Sequence, residues 1–383
     1  MSFPTVFAQI TALAHREAFE RCVFRYNADA YIKHFSCRQQ WLAMCFAQLT
    51  YRQSLRDLEV CLAARPHLLY QMGFRGPVPR STLADANEQR DWRVFADYAQ
   101  TLVARARRLY AGTPSTLALE QTVYALDATV IDLCLSLFPW AQSLPTKSAI
   151  RLNTLLDLQG AIPTFVSISA GKGHEVSVLK ELIPEPGAIY VMDRGYLHWA
   201  PLAHFAAQGA YFVTRAKTNL GYRVETSLPN APAQGVLLDQ YVRLRGPLAQ
   251  KVYPHRLRRI QYHDAAEEKL LVFLTNELLL PATKIAQLYR ARWQIELFFR
   301  WIKQHLHIHR FMGNTDNAVR TQVWSAISTY LLVVILKRTY ALNLSLHQIL
   351  QILSVTPFEQ VPIPELFAKI ESGQETLELA NLF

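Results

Sequence analysis

What the 383-residue sequence lacks bounds what it is. Its five cysteines (Cys22, Cys37, Cys45, Cys61 and Cys134) are an odd number with no Cys-x-x-Cys pair. That pattern predicts reduced core thiols rather than disulfides or a zinc site, so any metal must be held by oxygen ligands. The longest apolar stretch, 323–336, is too short for a membrane span and is interrupted by Ser325, Ser328 and Thr329. The N-terminus has no basic-then-apolar signal pattern, which predicts a soluble, cytoplasmic chain with no membrane partner. There is no internal repeat and no low-complexity run, and a hydrophobic share of 51% excludes long disorder, collagen and a small disulfide scaffold. Acidic residues are in deficit, 30 against 40 Lys plus Arg, and the resulting charge of +10 favours a polyanionic partner such as nucleic acid.

Helical periodicity runs through residues 1–112, as in Phe7-Ile10-Leu13, Trp41-Met44-Cys45-Phe46-Leu49 and Trp92-Phe95-Tyr98-Leu102. Pro66, the 73–79 stretch and Gly112-Thr113-Pro114 punctuate it. With fifteen basic and nine acidic residues, the segment reads as an all-helical, basic, DNA-binding domain. From residue 120 to 214 the pattern changes to strands: 123–127, 129–135, 152–158, a Gln159-Gly160 turn, and 162–169. A short helix follows near 175–182, then an apolar strand, 188–192, stopped by Asp193-Arg194-Gly195. A helix over 199–207 and a strand over 210–214 come next. Three antiparallel strands followed by strand-helix-strand is the order of an α/β ribonuclease-H-like core. Residues 215–281 read as a β-rich insertion, with nine Lys or Arg and three Asp or Glu between 215 and 264. Helical pattern returns over 282–344 as the second part of the core, and 345–383, with one Lys and five Glu, reads as an acidic tail.

The most specific feature is Tyr289-Arg-Ala-Arg292-Trp-Gln-Ile-Glu296-Leu-Phe-Phe-Arg-Trp-Ile-Lys303. Read as one helix, its steps of three, four and seven residues place Tyr289, Arg292, Glu296 and Lys303 within roughly 60° of arc. The opposite stripe, Leu288, Ile295, Phe299 and Ile302, is apolar. Taken alone, the helix is equally an amphipathic one with an Arg292–Glu296 surface pair. Asp127 and Asp193, however, both fall where an apolar run meets a loop. Three carboxylates from separate segments repel one another unless cations neutralise them, and hard oxygens suit Mg²⁺ or Mn²⁺. Two such ions about 4 Å apart support in-line phosphoryl transfer. Asp132 and Asp157 are rival candidates, with Asp132 of opposite strand parity to Asp127.

At these residues the sequence resembles the DDE transposases of bacterial insertion sequences, in particular the insertion-sequence-four group. Its Tyr-x2-Arg-x3-Glu-x6-Lys signature is matched by Tyr289, Arg292, Glu296 and Lys303 at every spacing. Leu126-Asp127-Ala-Thr129 resembles the segment bearing the first catalytic Asp, Met192-Asp193-Arg194-Gly195-Tyr196 the second, and Arg215-Ala-Lys217 the strand end that follows. The resemblance implies an enzyme that binds the inverted repeats of its element, cuts double-stranded DNA at the ends and joins them to target DNA. Two Mg²⁺ or Mn²⁺ ions on Asp127, Asp193 and Glu296 would be its cofactors, and Tyr289, Arg292, Lys303, Arg215 and Lys217 its DNA contacts. It further implies a homodimer in the DNA complex, a nucleoid-associated location, and a hairpin route with a flipped nucleotide stacked on an aromatic. The insertion has no Trp, which leaves Tyr222, Tyr241, Tyr253 and Tyr262 for that stacking. Of the other aromatics, Trp293 and Trp301 are expected to be packing residues. Alternatives are a metal-dependent nuclease that cannot join strands, or an inactive repeat-binding repressor.

Overall fold

The computed structural model describes residues 3–113, 117–170, 175–305 and 311–368. The chain divides into two compact units, one of residues 1–111, 131–148 and 300–383, the other of residues 112–130 and 149–299.

The first unit contains the helices α1 (Val6–Ala12), α2 (Arg16–Arg25), α3 (Cys37–Leu49), α4 (Leu55–Ala63), α5 (Arg80–Gln89) and α6 (Arg93–Tyr110), of which α1, α3 and α6 carry the expected apolar periodicity. Side-chain oxygens begin several of them. Ser36 and Gln39 form a reciprocal capping box on α3, while Thr5 caps α1 and Ser54 caps α4. Around Trp41 of α3, the rings of Phe19 and Tyr98 stand 5.7 and 5.3 Å away. Cys22, Cys37 and Cys45 are buried, as core thiols should be, whereas Cys61 is half-buried and Cys134 exposed.

These six helices do not close a core by themselves. A later helix, which becomes α11 (Asp316–Thr339) in chain order, packs on α1, α3, α5 and α6 and is buried continuously from Val323 to Leu336. By length and composition α11 could cross a membrane, yet 94% of its most apolar window is buried inside the protein. A helix apolar on all sides needs partners on all sides, and the N-terminal helices supply them. The helix that follows, α12 (Leu346–Val355), also packs on α3 and α11. Within 345–368, expected as part of an acidic tail, α12 buries Leu350 and Leu353, and Ile363 and Phe367 beyond it are buried as well. Residues 369–383, where most of its Glu lie, fall outside the described residues. A fragment of residues 1–112 expressed alone is accordingly expected to lose its cooperative thermal transition, because α3 and α6 would expose the faces that α11 covers. Circular dichroism melting checks this, and a sharp transition in the isolated fragment would refute it.

The first six strands are β1 (Val123–Leu133), β2 (Gln142–Leu144), β3 (Lys147–Asp157), β4 (Ile162–Ala170), β5 (Ile189–Met192) and β6 (Tyr211–Arg215). They are followed by β7 (Tyr222–Ser227), β8 (Val236–Leu244), β9 (Leu257–Asp264) and β10 (Lys269–Thr275). All ten join one mixed sheet of order β2-β3-β1-β5-β6-β10-β9-β8-β7, with β4 on β3. The fold is thus mixed α/β. The two short strands expected over 123–135 are one continuous strand, β1, over Val123–Leu133. The Gln159-Gly160 turn is present, with Gly160 at φ 95°.

The 215–281 segment does not stand apart from the core sheet. β10 pairs antiparallel with β6, placing Phe273 opposite Arg215, and β9, β8 and β7 follow as a meander. Val242, Leu244, Tyr253, Leu257 and Leu274 share one core with Tyr190, Met192, Phe205 and Phe212, beneath α7 (Trp199–Ala207) and α8 (Pro247–Val252). Tyr253 is 1% exposed and cannot offer a stacking surface. Nor are all the basic residues here free for a polyanion. Arg258 is buried and makes a bidentate pair with Asp239, with distances of 2.8 and 2.6 Å. Arg243 and Arg256 both pair with Glu225.

Candidate active site

The sheet register sets the first two carboxylates side by side. β1 and β5 run parallel with Leu126 opposite Met192, so the next residues, Asp127 and Asp193, stand level at the end of the paired run. Between β5 and β6 the register places Val191 opposite Val213, which brings Arg215 level with Asp193 two residues further on. Residues at one level of a parallel sheet share a face, and the carboxyl ends of such strands are where α/β sheets bind ligands.

The signature is carried by α9 (Ala282–Ala291) and α10 (Trp293–His305). The expectation of a single helix over 289–303 is corrected: α9 stops at Ala291 and α10 restarts at Trp293, with Arg292 as the junction. The break is one tightened turn, in which Arg292 N–H donates to the Tyr289 carbonyl (3.2 Å) and Ile295 N–H to the Arg292 carbonyl (3.0 Å). One such turn advances about 120° per residue instead of about 100°, so the three- and four-residue spacings still share a face. The apolar stripe is as expected, with Leu288, Ile295, Phe299 and Ile302 all buried. α9 packs on β5, β6 and β8, and the Tyr289 ring lies 5.1 Å from that of Phe273.

The functional groups meet around Arg292. Its Nη1 donates to Asp127 Oδ2 (2.8 Å) and its Nη2 to Glu296 Oε1 (2.6 Å), while the guanidinium carbon stands 5.6 Å from the centre of the Tyr289 ring. Its Nε is buried without a hydrogen-bond partner. The Tyr289 hydroxyl donates to Asp193 Oδ1 at 3.2 Å. Burial holds this phenol up to about 12, so it remains a donor at neutral pH.

Burial pushes the Asp127 carboxyl up to about 6. The charges of Asp193 and Glu296 push the same way, against the Ala128 N–H and Arg292. A carboxyl held above its ordinary 3.8 favours folding below about pH 4, and that contribution is lost as pH rises through 6. In the metal-free protein at pH 7, D127N should therefore be more stable than wild type by about 3 kcal/mol, the difference vanishing below about pH 4. Thermal melts of both proteins from pH 4 to 7 check this; a gap independent of pH would refute it.

The donor chemistry of the site fits a hard divalent cation. Asp127, Asp193 and Glu296 present carboxylate oxygens, and two of the three already surround a positive group, the Arg292 guanidinium. Among the described residues no three acidic, His or Cys side chains are yet gathered about one point. Of the rivals, Asp132 is exposed, and Asp157 is buried with its Oδ1 accepting from Gln159 N–H (2.9 Å), a turn-capping role.

Lys217 Nζ donates to the carbonyl of Leu197, four residues beyond Asp193 (3.2 Å). Lys303 lies on α10 seven residues beyond Glu296 and is half-buried. Two tryptophans expected to be packing residues divide: Trp301 is buried with its ring 4.6 Å from Tyr330, but Trp293 is 51% exposed at the first residue of α10. A bulky residue next to the helix junction was the available signal, but exposure there depends on the break and not on the spacing. The alternating histidines 307 and 309, and the side chain of His305, lie outside the described residues.

Comparison with known proteins bears on this site directly. Residues 118–332 match the transposase DDE domain family, and residues 3–75 match a domain of unknown function, DUF4372. The chain is 35% identical over 260 residues to the y4zB transposase of Sinorhizobium fredii, covering 67% of this chain and 71% of that one. It is 27% identical to a transposase for insertion sequence element IS4SA of Synechocystis, over 70% of this chain and 74% of that one. A transposase for IS5377 of Geobacillus stearothermophilus is 27% identical over 58% of each chain.

Proposed function

The chain belongs to the DDE transposase domain family, as an insertion-sequence transposase that cleaves DNA and transfers its strands, and from that premise we propose that Asp127, Asp193 and Glu296 are its metal-binding catalytic carboxylates. The observation that carries the assignment is the register of β1 and β5, which sets Asp127 level with Asp193, together with the Arg292 bridge from Asp127 to Glu296. Mg²⁺ or Mn²⁺, two ions per site, would supply Lewis-acid stabilisation of the attacking and leaving oxygens. The protein's own groups do the rest. Arg292, Lys303, Arg215 and Lys217 hold the phosphates of the scissile region, and Tyr289 orients Asp193 through its hydroxyl. We read β4-β3-β1-β5-β6 as a ribonuclease-H-like core and β7–β10 as its insertion.

The partners in this reading are the element's inverted repeats and target DNA, bound by a homodimer in the cytoplasm. Cleavage through a hairpin would use Tyr222, Tyr241 or Tyr262 as the stacking surface, since all three are partly exposed. The test is incubation of the protein with a duplex carrying the ends of its own element. Nicking and joining should require Mg²⁺ or Mn²⁺ and stop on chelation; cleavage that persists in chelator would overturn the metal assignment.

A further inference from the structure

The carboxylates assigned to metal are already engaged, and by the first two residues of the signature. Arg292 is bonded to Asp127 and Glu296, and Tyr289 to Asp193, with Arg292 only 15% exposed at its side chain. A divalent ion and the guanidinium cannot both occupy the space between Asp127 and Glu296. We propose that Arg292 is an internal cation that holds the metal site closed until a DNA phosphate draws it away, so that metal and DNA enter the site cooperatively. This inference rests on the reading of Asp127, Asp193 and Glu296 as metal ligands.

Three features of the chain support such an exchange. First, the guanidinium satisfies the electrostatic need of the cluster, giving two carboxylates a positive partner where like charges would otherwise face one another. Second, its bonding here is incomplete, since the buried Nε has no acceptor. A phosphate offers several oxygens and takes a guanidinium through two parallel bonds, so it can satisfy that nitrogen. Third, Arg292 sits at the α9–α10 junction, where a side-chain rotation need not distort a continuous helix. Moving Arg292 from carboxylates to phosphate removes a competing cation from the site and leaves the carboxylate oxygens for metal. By linkage, whatever DNA does to metal affinity, metal must do equally to DNA affinity.

The experiment measures Mn²⁺ affinity, by electron paramagnetic resonance or calorimetry, and needs no turnover. Wild type, R292Q and Y289F are titrated alone and with a duplex carrying the element end, with D127A as the control for site-specific binding. Wild type alone should bind Mn²⁺ weakly and tighten about tenfold or more when the duplex is added. R292Q alone should bind about tenfold more tightly than wild type, with little further gain from DNA. Y289F, which frees only Asp193, should shift less. A folded R292Q that binds Mn²⁺ no more tightly than wild type would overturn the proposal. Should R292Q not fold, an absence of DNA-dependent tightening in wild type would overturn it as well. Failure of the underlying metal reading looks different: wild type and D127A would then bind Mn²⁺ alike.

Discussion

D127N, D193N and E296Q should each lower the rate of cleavage at the element ends by about a thousandfold or more while changing DNA affinity little. The two effects separate because they rest on different groups. Affinity for duplex DNA comes mainly from Lys and Arg on phosphates, which these substitutions leave in place. In the proposed assignment the chemical step depends on the three carboxylates, whose replacement by amides removes the anionic charge that a divalent cation needs. Asp127 and Asp193 are level on adjacent parallel strands, and Glu296 is tied to Asp127 through Arg292, so none of the three can be exchanged for a neighbour. Mobility shift and cleavage measured on the same duplex decide the matter. A variant that cuts at the wild-type rate would remove its residue from the site, and normal cutting by D127N combined with loss in D132N would move the first ligand along β1.

Replacing Arg258 by Ala should destabilise the sheet by about 3–5 kcal/mol, the cost of leaving one member of a buried ion pair uncompensated. Arg258 and Asp239 are 6% and 5% exposed at their side chains, and the guanidinium also donates to the carbonyls of Leu278 and Leu280. Removing it abandons Asp239 in the interior together with two carbonyls. Replacing both partners by apolar residues, as in R258M/D239L, should recover much of the loss, because no buried charge then lacks a partner. Chemical denaturation of the two variants beside wild type is the measurement; a cost below about 1 kcal/mol for R258A would show that water reaches the pair. The same geometry redirects any test of DNA gripping by residues 215–281. Arg223 and Arg245 are exposed, so neutralising them should weaken binding and flatten its salt dependence without the loss of stability that Arg258 would add.

Local patterns carried much of the fold. Apolar spacing placed α3, α6 and α7 closely, because a helix with a buried stripe needs a contact every three or four residues wherever it sits. The strand 188–192 and its stop at Asp193 were equally plain, since a run buried on both faces must be apolar throughout. Strand parity also allows only one of Asp127 and Asp132 to face a given side of the sheet. The spacing of Tyr289, Arg292 and Glu296 survived even though their helix is broken, because a tightened turn adds only about 20° of phase per residue.

Residue identity and spacing thus determined the basic charge, the resemblance to the transposase family and most of the elements that carry the candidate carboxylates. Partnership was decided only in three dimensions. Nothing in the string shows that Arg258 finds Asp239 and is lost to solvent while Arg223 is not, since both are arginines in a basic β segment. Tyr253 reads like Tyr222 until the sheet folds over it. The 1–112 helices look separable until α11, some two hundred residues later, completes their core. Arg292 likewise has a local partner in Glu296 four residues on, but its bond to Asp127, 165 residues away, exists only because the tertiary fold brings Asp127 of β1 to the α9–α10 junction. Periodicity depends on a residue's near neighbours along the chain, whereas burial and ion pairing depend on whatever the rest of the chain brings to the same place.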